Sequence, residues 1–413
     1  MAVSAVDDQF SMYGRWNSLL ATGHDGGVLG IIPAHDGDFF PESILDYVEA
    51  IRIAFSDGNT DLDRPFKPLR VDIDITQACN ARCTFCFSRP YQVEDYRGQW
   101  ISTPILSSLI TELGTLGTRT VRFCGGGDPL IHPEIDRVLP LAHRAGLYLC
   151  VITNLDFIEE RISDSILEHV DHLRWSVNAA TDATRIAIHR PRGKANLLSE
   201  TIARVVRLMD KREKFHVGER RPMVWATYLV LPENVDEIIP AAKALRATGI
   251  DSLSFRPVFH GLGGCWSVDK LARLSERLHE VAEFDDRPRF CIFTPKRFIL
   301  DAAGLNPSEH FDLCISRRLR TVLEATSEGV SLQSCGTYRG SGPHPSLIIS
   351  EGEKFDVIWQ RTRLQAIPVI APNGCNRCID VSMNVTLSYI AKILKRDPNA
   401  RFERVLLPHI QED

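Results

Sequence analysis

The chain has 413 residues, 44% hydrophobic and 24% charged, with a formal net charge of −5. That length suits one large domain with additions, or two to three domains. The acidic balance and the lack of a dense basic stripe argue against nucleic acid as the main partner, and no apolar run approaches the length of a membrane span. The N-terminus, MAVSAVDDQFSMYGR, lacks the basic and apolar blocks of a signal peptide, so a cytoplasmic location away from membranes is expected.

Residues 1–66 carry one good helical signal, Glu42 to Phe55, behind a Gly/Asp/Pro-rich segment, and read as an N-terminal cap. From residue 71 the pattern alternates strand and helix. Strands are expected at Val71–Thr76, Thr120–Cys124, Tyr148–Thr153, His172–Asn178, Pro222–Leu231 and Ser252–Val258. Helical patterns fall between them at Pro104–Leu116, Pro133–Ala145, Ile158–His169, Leu197–Asp210 and Val235–Ala247. Short apolar runs alternating with amphipathic segments imply parallel strands joined by crossover helices. The basic run from Lys211 to Arg221 is broken by Glu213 and Glu219 and reads as a solvated loop or helix end.

Eleven cysteines need a reason. In a reducing compartment, clustered cysteines more often bind metal or act in catalysis than form disulfides. The first strand leads into Cys79, Cys83 and Cys86, spaced Cys-x3-Cys-x2-Cys. Three thiolates on one short loop can hold three irons of a four-iron cluster and leave the fourth open for chemistry; a structural zinc knuckle on the Cys-x2-Cys pair is the alternative. A glycine run, Gly125-Gly126-Gly127-Asp128, follows the second strand, where a ligand can approach the backbone closely. The third strand ends at Thr153-Asn154 and the fourth at Ser176-Val177-Asn178, with Ser176 and Asn178 on one face. Parallel sheets bind ligands at the carboxyl ends of their strands, and each of these features falls there.

The three-cysteine loop, with Phe85 just before its last cysteine, resembles the signature of the radical SAM superfamily. The resemblance implies a partial (β/α)6 barrel over residues 67–262. It implies a [4Fe–4S] cluster on Cys79, Cys83 and Cys86 that binds S-adenosylmethionine and splits it to a 5′-deoxyadenosyl radical. It also implies an electron donor such as flavodoxin or ferredoxin. Gly125, Gly126 and Gly127 look like the segment that receives the methionyl ammonium, with Asp128 where that family usually has glutamate. Asn154, Ser176, Asn178 and, more weakly, Asn234 and Arg256 stand where the family contacts the rest of the cofactor. Arg190 and Arg192 read as an exposed turn.

After a linker at 263–306, Cys314, Cys335, Cys375 and Cys378 form a second set. Four cysteines ending in Cys-x2-Cys suit zinc or a four-iron cluster. The arrangement resembles the twitch form of the SPASM extension, which implies a small cysteine-rich α+β domain over 307–395 with an auxiliary [4Fe–4S] cluster, before a tail at 396–413. Cys124, Cys150 and Cys291 read as buried apolar packing, whereas Cys265 lies in a glycine-rich loop on the functional side. An auxiliary cluster suits oxidation of a small polar substrate of the sugar or aminocyclitol type, in secondary metabolism. Hydrogen return from Cys265 would instead give an epimerase. A peptide-modifying enzyme is the third possibility, against which the expected lack of strand before residue 66 counts. A plain zinc or iron–sulfur protein is the non-enzymatic one.

Overall fold

The computed structural model describes residues 18–33, 44–56, 67–86, 88, 100–192, 197–214, 222–258, 264–286, 289–294, 314–327, 329–333, 347–350, 352–364 and 381–405. Its centre is a ten-stranded sheet. Six strands follow the expected pattern: β3 (Arg70–Asp74), β4 (Thr120–Phe123), β5 (Tyr148–Thr153), β6 (His172–Ser176), β7 (Met223–Val230) and β8 (Ser252–Pro257). They lie side by side in chain order and all neighbouring pairs are parallel.

The crossover helices are α2 (Thr103–Leu116), α3 (Ile135–Arg144), α4 (Glu160–His169), α5 (Asp182–His189) with α6 (Leu198–Lys214), and α7 (Ile238–Ala247). α2 stops at Gly117, whose left-handed backbone lets its N–H reach the last carbonyls. Strand alternation sorts the sheet into two faces. Val71, Ile73, Val121, Phe123, Leu149, Val151, Leu173, Trp175, Ala226, Tyr228, Leu253 and Phe255 belong to one apolar core with the inward residues of these helices. The alternate residues, among them Asp72, Arg122, Cys150, Arg174, Thr227 and Arg256, stay outside that core and make the inner face.

Several elements were not expected. Helix α5 lies in the span read only as a connection after the fourth strand. The parallel series also continues past six strands. β9 (Cys291–Phe293) adds to β8, so Cys291 sits on a seventh parallel strand. On the other side β10 (Arg320–Thr326) pairs parallel to β3, then β11 (Gly329–Gln333) and β12 (Ile348–Ile349) add antiparallel. The hairpin signal at Thr326 to Cys335 is therefore an extension of the main sheet, turning between Thr326 and Gly329.

The region before residue 66 holds more than its helix, α1 (Ile44–Phe55). β1 (Ser18–Thr22) and β2 (Val28–Pro33) form a three-stranded antiparallel sheet with β13 (Arg401–Val405), in the order β13-β1-β2. A second core joins α1 to α11 (Val381–Arg396), through Tyr47, Val48 and Ile51 against Leu387, Ile390 and Leu394. The weak strand signal has a physical reason: β1 finds one of its partners near the other end of the chain. Remaining helices are α8 (Val268–Val281), α9 (Ser316–Leu319) and α10 (Phe355–Leu364). Among the described residues, no helix is long and apolar enough to cross a membrane.

Candidate active site

The cysteine loop leaves the carboxyl end of β3 and is tied down on two sides. The Thr84 and Arg82 amides donate to the carbonyls of Ile188 and His189 at the end of α5, at 2.8 and 2.9 Å. The Gly127 amide donates to the Thr76 carbonyl and the Asp128 amide to the Ala78 carbonyl, at 2.8 and 2.7 Å. The loop thus shares the sheet's carboxyl-end rim with the glycine run.

His189 and Phe85 flank the Cys83 thiol. The His189 Nε2–H donates to the Val177 carbonyl at 2.9 Å, which leaves Nδ1 as the acceptor facing the Cys83 Sγ at 3.3 Å. Burial, then the nearby Arg185 cation, hold the His189 imidazole neutral, pushed down to about 3. Phe85 meets the same ring edge-on at 5.5 Å. With Ile188 and Leu231, Phe85 makes a small apolar cluster beside Cys83.

The glycine run allows no side chain at its end. Gly125 and Gly126 have positive φ, 54° and 58°, where a Cβ is disfavoured. A Cβ at Gly127 would stand 1.8 Å from the Ala78 carbonyl oxygen. Asp128 is turned inward: its carboxylate accepts from the Leu130 amide, the Thr153 hydroxyl and the Asn154 amide at 2.8–3.0 Å. Burial still dominates, pushing this carboxyl up to about 6.

Beneath the rim lies a buried polar network. Asn154 Nδ2 donates to Asn80 Oδ1, Asn80 Nδ2 to Asp156 Oδ2, and Asp156 Oδ1 accepts from Arg185 and Thr201, all at 2.5–2.7 Å. Arg185 and Asp156 are only 1% and 0% exposed. The chain between these groups adopts positive φ at Leu155, Asn178 and Arg190, each a non-glycine residue at a strand or helix end. Such conformations persist only where their surroundings over-determine them, and they cluster at functional sites. Asn178 is held by Leu229, whose amide donates to its Oδ1 at 2.7 Å, and Asn234 Nδ2 donates to the Asn178 carbonyl at 2.9 Å. Both side chains therefore lock β6 to β7. Ser176 is half-buried at the end of β6, and Arg190 is exposed.

The loop fits a four-iron cluster. Burial raises the Cys79 thiol to about 12 and the Cys83 thiol well above its usual value; Cys86 adds to both shifts and Cys79 to that of Cys83. Thiolates in such a place need a cationic partner, which iron provides. Among the described residues no three side chains converge as they would on a single metal ion. A four-iron cluster asks for no such point, because each thiolate holds a different iron.

The second cysteine set is only partly within the described residues. Cys314 is buried, with Asn384 Nδ2 3.6 Å from its sulfur and Ser316 Oγ at 3.7 Å. Cys335, Cys375 and Cys378 lie outside the described residues. Cys265 is solvent-exposed, ahead of α8.

Cys124 and Cys150 correct the sequence reading. Both are buried, but on the polar inner face instead of in the apolar core. Cys124 Sγ lies 3.8 Å from Asp74 Oδ1 and Cys150 Sγ 3.8 Å from His172 Nδ1. The same face holds Arg122 and Arg174, which sequence reasoning missed. A signal existed: VRF and LRWS each place an arginine at an alternate position of a core strand.

Residues 73–245 match the Radical SAM superfamily. A GTP 3',8-cyclase of Chlorobaculum tepidum is 33% identical over 99 residues, 24% of this chain and 29% of that one. An S-adenosylmethionine-dependent nucleotide dehydratase of Flammeovirga pacifica is 25% identical over 200 residues, 42% of this chain and 68% of that one. A PqqA peptide cyclase of Gluconobacter oxydans is 25% identical over 120 residues, 29% of this chain and 33% of that one. The match thus spans about a third or less of two of these relatives. In fold, the crystal structure of Streptococcus suis SuiB bound to precursor peptide SuiA superposes with a TM-score of 0.57 at 13% identity, covering 87% of this chain and 79% of that one. Residues 73–245, which build the sheet from β3 to α7 and carry both the cysteine loop and the glycine run, are a radical SAM superfamily domain.

Proposed function

We propose that this chain is a radical SAM enzyme that oxidises a small polar metabolite of the sugar or aminocyclitol type. The observation that carries the reading is the shared rim. The loop of Cys79, Cys83 and Cys86 is hydrogen-bonded through Thr76 and Ala78 to Gly127 and Asp128. The three thiols hold the cluster, and the backbone of Gly125 to Gly127 receives the methionyl end of S-adenosylmethionine. When bound, the cluster and S-adenosylmethionine supply a 5′-deoxyadenosyl radical that removes a hydrogen atom from the substrate. Cys314, Cys335, Cys375 and Cys378 would hold a second cluster, which would supply an electron acceptor for oxidation of the substrate.

Anaerobic reconstitution tests the reading. Wild type forms 5′-deoxyadenosine from S-adenosylmethionine and a reductant; Cys79→Ala, Cys83→Ala and Cys86→Ala each abolish it. Normal formation in any of these variants sinks the proposal. A Cys79/Cys83/Cys86 triple-alanine variant that keeps about four irons places the second cluster on the remaining set. One zinc and little iron would remove the oxidative route and favour the epimerase, for which Cys265→Ala would then cleave S-adenosylmethionine without inverting substrate.

A peptide substrate is a second reading, favoured by one specific observation. The small sheet of β13, β1 and β2 supplies the N-terminal strands whose expected lack counted against it. Dependence of product formation on a peptide, with no turnover of free polyols, would establish that reading over the first.

A further inference from the structure

The cysteine loop and the end of α5 carry positive charge on a chain whose net charge is −5. From Ile75 to Val93 and from Ala183 to Ser199 the sequence holds no aspartate or glutamate. In those two stretches stand Arg82, Arg89, Arg185, Arg190, Arg192 and Lys194. The structure bonds the stretches to each other. The Arg82 and Thr84 amides donate to the His189 and Ile188 carbonyls, and the Arg192 amide donates to the Asn80 carbonyl at 2.7 Å. Arg185 turns inward onto Asp156.

Helix α5 shows two faces, because residues three and four apart share one. Arg185, Ile188 and His189 are buried. Ala183, Ile186, Ala187 and Arg190 are exposed, Ile186 by 53%. Arg190 ends the helix at φ 48°, a left-handed conformation that glycine or asparagine takes more easily. Its carbonyl accepts from the Arg82 amide at 3.3 Å, while its guanidinium makes no hydrogen bond or ion pair with another described residue. The residue before it, His189, puts Nδ1 3.3 Å from the Cys83 sulfur. The outward face of α5 is therefore one residue away from a side chain that touches a ligating sulfur.

A cationic face on an acidic chain steers an anionic partner to one place. Exposed apolar side chains beside the charges are what a protein partner uses, since interfaces combine an apolar centre with a charged rim. One short helix is enough for an electron-transfer encounter, which buries less than about 1,200 Å² in all. We propose that the α5 face of Ile186 and Arg190, flanked by Arg82 and Arg192, docks an acidic one-electron carrier protein. The carrier gives up one electron, and the cluster held by Cys79, Cys83 and Cys86 gains it. That electron is the one consumed when the carbon–sulfur bond of S-adenosylmethionine breaks into methionine and the 5′-deoxyadenosyl radical. The assignment deepens the function proposed above and rests on it for the identity of the loop.

Calorimetric titration of the full reconstituted chain tests it, with an acidic flavodoxin and an acidic ferredoxin as probes and basic cytochrome c as the control. Wild type binds at least one acidic carrier saturably and more weakly as salt rises. Arg190→Gln weakens that binding by about tenfold, and Arg190→Lys, which keeps the charge, recovers most of it. Equal affinity in wild type and Arg190→Gln overturns the proposal. So does binding of neither acidic carrier, or equal binding of cytochrome c. Ile186→Glu, which adds a negative charge on the same face, is read by the same criteria should Arg190→Gln fail to fold. In Ile186→Glu, dithionite, which needs no docking, gives 5′-deoxyadenosine at the wild-type rate, while formation driven by the carrier falls in step with binding. An equal fall with both reductants overturns the docking role. Carrier binding that depends on Arg190 in a wild-type chain that never forms 5′-deoxyadenosine with dithionite leaves the surface standing and removes the radical chemistry. Normal formation with dithionite and no carrier bound does the reverse.

Discussion

The strand-end rim and the inner wall are made by the same parallel strands, yet different forces hold their side chains. At the rim, Asn80, Asn154, Asp156, Arg185 and Thr201 bond one another in a closed buried network, and the loop is tied by backbone amides. On the wall, Arg174 projects from a finished strand and its Nε donates to the Thr227 hydroxyl. A change at the rim should therefore be read as lost stability and lost cluster. A change on the wall should be read as a local loss in a chain that folds.

The sharpest way to break this contrast is Asp156→Ala. It strands the Arg185 cation, 1% exposed, without its carboxylate. Removing one partner of a buried pair costs about 3–5 kcal/mol. The urea midpoint should drop accordingly, and Asp156→Leu with Arg185→Met should recover much of the loss. A cost below about 1 kcal/mol would mean that the network is not what holds the rim.

Asp128 gives a pH signature of nearly the same size. Its folded carboxyl is raised to about 6 from an ordinary 3.8, so folding favours the protonated acid. That stability is fully present below pH 3.8 and is lost as pH rises through 6. At about 1.4 kcal/mol per pKa unit the effect is about 3 kcal/mol. Urea midpoints of wild type and Asp128→Asn should therefore converge or cross between pH 4 and pH 7, wild type losing ground as pH rises. Parallel curves would show that the carboxylate is ionised at its usual pH and that its hydrogen bonds outweigh burial.

Gly127→Ala is expected to cost about 1–3 kcal/mol, as overpacking does. Its Cβ would meet the Ala78 carbonyl at 1.8 Å, and that carbonyl accepts the Asp128 amide that ties the glycine run to the cysteine loop. Iron retained after anaerobic desalting should fall in step with the urea midpoint. Unchanged iron with a lowered midpoint would separate the tie from cluster retention.

How much of this was legible follows from the range of the forces. The six strands from β3 to β8 appear within two residues of their expected ends, because each is a β-branched or apolar run beside an amphipathic helix. The cysteine loop and glycine run were legible because their chemistry is local and their place at strand ends follows from topology. β9 was missed because three residues carry no period. β1 and β2 were missed because one partner, β13, lies at the far end of the chain. Asn178 was expected to face a cofactor; its Oδ1 accepts the Leu229 amide, a structural bond that the sequence did not announce, because a strand-end asparagine reads alike in either role. Arg122 and Arg174 were overlooked because helical and strand periods were scored for apolar residues, while the charged alternates define the wall.

The smallest effect is the most discriminating. Arg174→Gln should shift the urea midpoint by no more than about 0.5 kcal/mol. The reasoning is a balance of two terms on one side chain. The guanidinium loses hydration on burial and is repelled by Arg256 and Arg122, while the Thr227 hydroxyl returns one hydrogen bond. Glutamine keeps a donor for Thr227 and removes the charge, so the wall loses little or gains slightly. A loss above about 2 kcal/mol would show that the fold needs this cation as it needs Arg185. Wall and rim would then be one structural network, and the contrast between them would fall.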